Sequence, residues 1–425
     1  MTQQKNTQLV AIITMCFIFA MISFVTNMGA PFGNIWGEHF PFAKAWGNLM
    51  NFAAYLFMGI PAGKMLIKYG YKKTALIALI VGIVGLALQY VSSIAGDGTY
   101  VFTYDNIPVA LNLIIYLLGA FICGFCVCML NTVVNPMLNI LGGGGNRGNQ
   151  FIQIGGTMNS LTATLTPLLT GLLVGTVTAE TSMSNVAPLL FIGMAVFAIS
   201  FFIISRVQIP EPTLGKEQPK YERSPLAFRH CLLGVIAIFF YVGVEIGIPM
   251  ELNFYITDLG FEGSAAIGGT LAASYWLMML VGRASSSAIS GKVSTKMQLT
   301  VVSAVAILLL LIAIFMPESS TFTVSGKDIP VKCIFIAACG LCTSIMWGGI
   351  FNLSVEGLGK YTEAASGIFM TLVVGGGIMP LIQEAMANSS IGIINSYWLV
   401  IAMLAYILFY AVIGSKNVNK DIKVD

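Results

Sequence analysis

Twelve times along this chain a run of about twenty or more residues passes with almost no charge in it. A helix rises 1.5 Å per residue, so about 20 apolar residues cross the roughly 30 Å hydrocarbon core of a bilayer. Inside that core each peptide group must find its partner within the protein, and runs of this length do so as helices. They fall at 8–36, 44–69, 74–94, 107–141, 148–178, 186–207, 230–257, 263–291, 296–316, 331–358, 363–387 and 390–415. The expected fold class is therefore all-α integral membrane, with twelve transmembrane helices and little chain left over for other domains. Composition follows suit: 57% of the 425 residues are hydrophobic and 9% are charged, against about 25% charged in a soluble domain. Charge this sparse cannot cover a water-facing surface, which excludes a soluble enzyme. The first run follows MTQQKNTQ, lacks an A-x-A cleavage site and is too long for a signal-peptide core, so it reads as a retained helix.

The most polar connection is Gln208–Arg229, rich in Pro and charge. It reads as a linker dividing the helices six and six. The expected domains are 1–207, a six-helix bundle; 208–229, a cytoplasmic linker; and 230–425, a second bundle with a short cytoplasmic tail. Lys68 to Lys72 and Lys292 to Lys296 close the second and eighth runs at the same offset, a sign of parallel 6+6 duplication. With the N-terminus inside, 17 of the 21 basic residues fall on the cytoplasmic side. Only Lys44, Lys327 and Lys332 fall outside, and Arg283 lies within a run, one or two turns from its inner end. Both termini are thus expected in the cytoplasm of a bacterial inner membrane. Net charge is +3, in short clusters. That is a topology signal rather than a nucleic-acid footprint, and the expected partners are the lipid bilayer and a small solute.

A carboxylate or amide placed in hydrocarbon needs a reason, since a charge at the bilayer centre costs about 2.5–3.5 kcal/mol on insertion scales. Glu245 lies near the middle of the seventh run, and Glu251 is six residues on, about 120° round the helix. One of the two should face a cavity. Pro249 between them would free a carbonyl for a cation if the helix breaks there. Asn131, Asn135 and Asn139 share one face of the fourth run, and Gln153 lies on a polar face of the fifth with Asn159 about 120° round. Asn27 and Gln383 adjoin Gly or Pro. Trp276 and Trp347 sit near the centres of the eighth and tenth runs, away from the interfacial belts. Such groups can face a ligand or bond helix to helix, and both readings stay open. Amides, a carboxylate and indole rings suit a neutral polyhydroxylated ligand. No basic residue is expected at the midplane, which disfavours an anion.

Other chemistry finds no support. The CxxC-like pairs Cys123/Cys126 and Cys339/Cys342 lie in apolar runs without a nearby His, so the eight cysteines read as packing residues and no metal site or cofactor is expected. The Gly runs at 142–145 and 375–377 belong to no GxxxxGK[ST] motif. Only His39 and His230 are present, with no HExxH or GxSxG, and no enzyme is expected.

GIFMTLVVGGGIMPLIQ at 367–383, IPAGKMLIKYGYKK at 60–73, NTVVNPMLNILG at 131–142, TMNS at 157–160, FYVGVE at 240–245 and GR at 282–283 lie in both halves. As a set, they resemble the fucose–proton symporter family of the major facilitator superfamily, which includes glucose/galactose transporters. The resemblance covers nearly the whole chain. It implies a 6+6 pseudo-symmetric major facilitator fold, a rocker-switch of two halves and a central sugar site. It also implies that Asn159 matches the family's sugar-binding Asn, Glu245 its seventh-helix carboxylate or amide, and Gln383 the Gln of glucose-type members. The family's two proton-carrying acids match Asn27, before Pro31, and Asn131, before the Asn135-Pro136 pair. Both are neutral here, so a proton cannot be carried at either.

The expected function is import of a hexose-type sugar by alternating access, coupled to a cation (H⁺ or Na⁺), by a monomer. A sugar uniporter and a multidrug or other small-solute transporter are the alternatives. Sugar binding is expected from Asn27, Asn131, Asn135, Gln153, Asn159, Glu245, Trp276, Trp347 and Gln383. Coupling is expected from Glu245 or Glu251, with a sodium ion conceivable near Glu245.

Overall fold

Gly70 shows how the apolar runs become separate helices. A computed structural model describes residues 2–43, 46–174, 182–211, 221–259, 261, 264–289, 292–324, 326–419 and 422–424. The expected span ends at 44–45, 175–178, 263 and 290–291, and residues 212–220 of the linker, lie outside these. The stretch Trp46–Val91 is helical throughout except at Gly70, whose φ of 80° and ψ of 178° lie where L side chains are strained. It therefore forms two helices, α2 (46–69) and α3 (71–91), after α1 (Thr2–His39). The free N–H groups at the start of α3 are capped from far along the chain. Glu211 accepts from the backbone N–H of Tyr71 at 2.7 Å and of Lys72 at 2.8 Å. A carboxylate there also complements the helix dipole, and a Cβ on Gly70 would collide with it.

The chain continues as α4 (Leu111–Leu141), α5 (Gly145–Val174) and α6 (Ala187–Arg206). Then follow α7 (Arg229–Asp258), α8 (Ser264–Ile289) and α9 (Thr295–Phe315). Two helices are interrupted: α10 runs over Lys332–Thr343 and resumes over Met346–Val355. α11 runs over Thr362–Thr371, passes through a 3₁₀ turn at Leu372–Val374 and resumes over Gly375–Ala387. α12 (Ile393–Phe409) ends in a π turn, Tyr410–Gly414. These are the twelve helices of an all-α membrane fold. Among the described residues, nine stretches are long and apolar enough to cross a membrane, one of them the α2–α3 pair. α5 and α8 are not among the nine, and these two helices carry much of the candidate site.

One expectation needs correction. The fourth span does not begin at 107: Ile107–Ala110 is a strand, β2, paired antiparallel with β1 (Tyr100–Tyr104). Asp105 and Asn106, both at positive φ, turn this hairpin, as an Asx pair tolerates. A second hairpin, β3 (Thr321–Val324) with β4 (Lys327–Pro330), precedes α10 just as the first precedes α4. Thus the duplication shows in the loops. α7 stays helical through Pro249.

Two compact units emerge. One comprises residues 1–137, 161–220 and 366–371. Within it small residues let helices touch: a Cβ on Gly85 would meet the Cys123 backbone and sulfur, and one on Gly82 the Phe197 ring and the Cys126 sulfur. Seven cysteines are buried and free, Cys16 being half-buried. The other unit comprises 138–160, 221–365 and 372–425. Here α7 is the hub, packed on α8, both parts of α10, the second part of α11 and α12. Its Gly243 and Gly247 admit Met379 and Gln383 of α11. Phe57, Phe202 and Phe315 are exposed on otherwise apolar helices, as sides that face lipid should be.

Candidate functional site

In the second unit five donor–acceptor contacts converge on Arg283 of α8. Its Nε donates to the Ser344 carbonyl at 3.0 Å, where α10 is interrupted. Nη1 donates to three acceptors on α5: the Gly156 carbonyl at 3.0 Å, Asn159 Oδ1 at 3.2 Å and Ser160 Oγ at 2.8 Å. Nη2 meets Glu245 Oε1 of α7 at 3.2 Å, and the two side chains are only 8% and 13% exposed. A charge removed from water needs a partner, and here each is the other's. The fork of a guanidinium reaches three helices at once, which the single ammonium of Lys would not do. Close approach is built in: a Cβ on Gly282 would strike Ser344, and one on Gly340 the Tyr275 carbonyl.

Aromatic rings border the ion pair. Tyr241, one helical turn before Glu245, lies within its electrostatic reach and meets the Trp347 ring edge-on at 6.3 Å. Tyr275 packs edge-on with Trp276 at 5.4 Å and shares a 2.8 Å hydrogen bond with Thr343. Pro249 lacks the N–H that the Glu245 carbonyl would otherwise receive, so that residue offers a backbone oxygen as well as its carboxylate. Gln153 is turned toward α10, donating to the Ile345 carbonyl at 3.0 Å. Gln383 is fully buried; its Nε2 reaches Ser396 at 3.4 Å, while its Oε1 has no hydrogen-bond partner. Glu251 is buried on another side of α7, within electrostatic reach of Tyr397 of α12. Six residues of helix turn the two carboxylates toward different neighbours.

The first unit holds a smaller polar group. Asn131 Nδ2 donates to the Tyr55 hydroxyl at 2.9 Å, and Asn135 Nδ2 to the Asn131 carbonyl at 2.9 Å. Asn27 Nδ2 turns onto its own helix, to the Ser23 carbonyl at 2.8 Å. Asn139 leaves the stripe and bonds Asn352 of α10 at 2.8 Å, in the second unit.

Asn159, Glu245, Trp276 and Trp347 thus fall around one cluster, with Gln153 beside α10, whereas Asn27, Asn131 and Asn135 belong to the other unit. The sequence reading left out Arg283, Tyr241 and Tyr275. Its expectation that no basic group reaches the middle of the bundle is corrected: the Arg283 backbone is near a helix end, but its long side chain extends to Glu245, midway along α7. An Arg within an apolar run, next to Gly282, was the available signal.

Twelve apolar helices that hold amides and a buried ion pair inside, away from lipid, define a polytopic membrane protein of the transporter class. Residues 9–381 match the model of the Major Facilitator Superfamily, and the chain belongs to that superfamily. It is 32% identical over 378 residues to a glucose/galactose transporter of Brucella abortus, covering 86% of this chain and 84% of that one. It is 28% identical over 387 residues to a putative glucose/galactose transporter of Helicobacter pylori, covering 86% of each. Among solved structures, the fold matches the fucose:proton symporter of E. coli with a TM-score of 0.77 at 19% identity, over 97% of this chain and 100% of that one.

Proposed function

We propose that this protein imports a hexose-type sugar by alternating access, in symport with a cation. The observation that carries the reading is the Glu245–Arg283 pair held against Asn159. The two charges cancel, so the cluster attracts no anion, yet it offers amide, hydroxyl and carbonyl groups to sugar hydroxyls. The indole rings of Trp276 and Trp347 suit the apolar C–H faces of a pyranose. Similarity to glucose/galactose transporters supports the sugar class. We assign sugar binding to Gln153, Asn159, Glu245, Trp276, Trp347 and Gln383 in the second unit, and Asn27, Asn131 and Asn135 of the first unit form a separate candidate group. Coupling falls to Glu245, with Glu251 the second carboxylate, since Asn27 and Asn131 cannot carry a proton.

The same reading places the protein as a monomer in a bacterial cytoplasmic membrane, both termini inside, with bundles 1–207 and 230–425 joined by the 208–229 linker. The test is uptake of radiolabelled glucose, galactose and fucose into proteoliposomes, with proton and sodium gradients imposed separately. Accumulation under one gradient is expected. Equilibration without accumulation would make the protein a uniporter, and no uptake of any sugar would refute the reading.

A further inference from the structure

Beyond the ion pair and the sugar cluster, we infer that Glu251 and Gln383 form a sodium site on another side of α7, which gives the second carboxylate of the transport reading an ion of its own. Gln383, in the second part of α11, is fully buried, and its Oε1 has no hydrogen-bond partner. A buried acceptor left so is costly unless something positive meets it. That oxygen is seated on Gly247 of α7, where an added Cβ would stand 2.3 Å from it. Glu251 follows Gly247 by four residues, one helical turn along the same face. Helical side chains lean toward the N-terminus of their helix, so the Glu251 carboxylate leans back over Gly247, toward the Gln383 oxygen. Tyr397 of α12 agrees with that direction: its hydroxyl donates to the Ile248 carbonyl at 2.9 Å and lies within electrostatic reach of Glu251. α7, α11 and α12 contribute these groups from within one unit. A carboxylate and an amide oxygen brought together repel unless a positive charge joins them. With the lone pairs of the Tyr397 hydroxyl they are hard oxygen donors, which suit an ion of the sodium type better than a transition metal. One carboxylate balances one charge, whereas a divalent ion would leave net positive charge buried. Among the described residues no three His, Cys, Asp or Glu gather to hold such an ion. Gln383 meets the sodium through Oε1 and keeps Nε2, its donor end, for a sugar hydroxyl, so the two ligands do not compete for it.

Equilibrium binding of radiolabelled sodium to the purified chain in detergent, with choline as the balancing cation, tests the site. The wild type should bind sodium saturably. Glu251→Gln removes the charge at nearly constant shape, and Gln383→Met removes the amide oxygen at similar volume. Each should weaken sodium binding roughly tenfold or more. Gln383→Met gives up only the 3.4 Å contact of Nε2 with Ser396, so the protein should stay folded, as monodispersity in detergent checks. Glu245→Gln combined with Arg283→Gln strands no buried charge. That double variant should leave sodium affinity within about twofold, because its two groups serve each other. Unchanged affinity in folded Glu251→Gln or Gln383→Met overturns the inference. So does loss of sodium binding in the double variant, which would put the ion at the sugar cluster. Wild-type protein that binds no sodium saturably overturns it too, and leaves sugar uptake to be judged in proteoliposomes. Sodium bound as expected by a protein that moves no sugar upholds the site and refutes the transport reading.

Discussion

Asn131 and Tyr55 form a buried amide–hydroxyl pair at 2.9 Å. A net hydrogen bond contributes about 0.5–1.5 kcal/mol, so Asn131→Ala and Tyr55→Phe should each destabilise the purified protein by about that much. If the two groups serve each other, the double substitution should cost clearly less than the sum of the singles. Thermal unfolding in detergent measures this, and strict additivity would dissolve the pair. Asn159 is the more exposed amide and is already engaged by Arg283. Asn159→Ala should weaken sugar binding roughly 2- to 12-fold, the equivalent of about 0.5–1.5 kcal/mol. Titration calorimetry with the transported sugar reads the effect, and an unchanged Kd would remove Asn159 from the site. The residue types of this site were legible in the sequence, since amides and carboxylates stand out in apolar runs. The partner of Glu245 was not. Side-chain reach and rotamer decide where a guanidinium ends, and helix position alone placed Arg283 a turn or two from the end of its run.

At the scale of elements, glycines set how near the helices come. A Cβ on Gly340 of α10 would collide with the backbone carbonyl of Tyr275 on α8, which cannot swing aside. Gly340→Leu should therefore force α8 from α10 and abolish recovery of monodisperse protein. Gly269 of α8 has open space at its Cβ. There Gly269→Ala should be neutral or stabilise by roughly 0.5–1 kcal/mol, because Ala orders more readily than Gly in a helix. Size-exclusion profiles and unfolding midpoints of the two variants test the contrast; similar behaviour would refute it. The helical runs were plain in the sequence because lipid enforces internal hydrogen bonding. The interruptions in α10 and α11 and the two hairpins were not. Leu372–Val374 and Ser344–Ile345 are as apolar or as small as their neighbours, so nothing local marks them as breaks.

For the whole molecule the basic residues make the clearest statement. Seventeen of 21 lie on one expected side of the membrane. A tag inserted at the exposed hairpin turn, Asp105–Asn106, should be reached from outside the cell, and tags at either terminus only after permeabilisation. A terminus and the hairpin labelled from the same side would refute the topology. The 6+6 duplication had only a faint trace in residue identity, at Lys68–Lys72 and Lys292–Lys296. It is plain once the two hairpins are seen to precede the fourth and tenth helices alike.

By itself the sequence determined that this chain lives in a bilayer, how many times it crosses and which residues are too polar to face lipid. Those properties follow from the free energy of transferring single groups and from hydrogen bonding within single helices. Which polar groups meet was decided only by tertiary structure. The Arg283 cluster draws on α5, α7, α8 and α10, residues up to 188 positions apart between Gly156 and Ser344. Such proximity depends on how glycine-lined helices pack against one another, and no local pattern of residues encodes it.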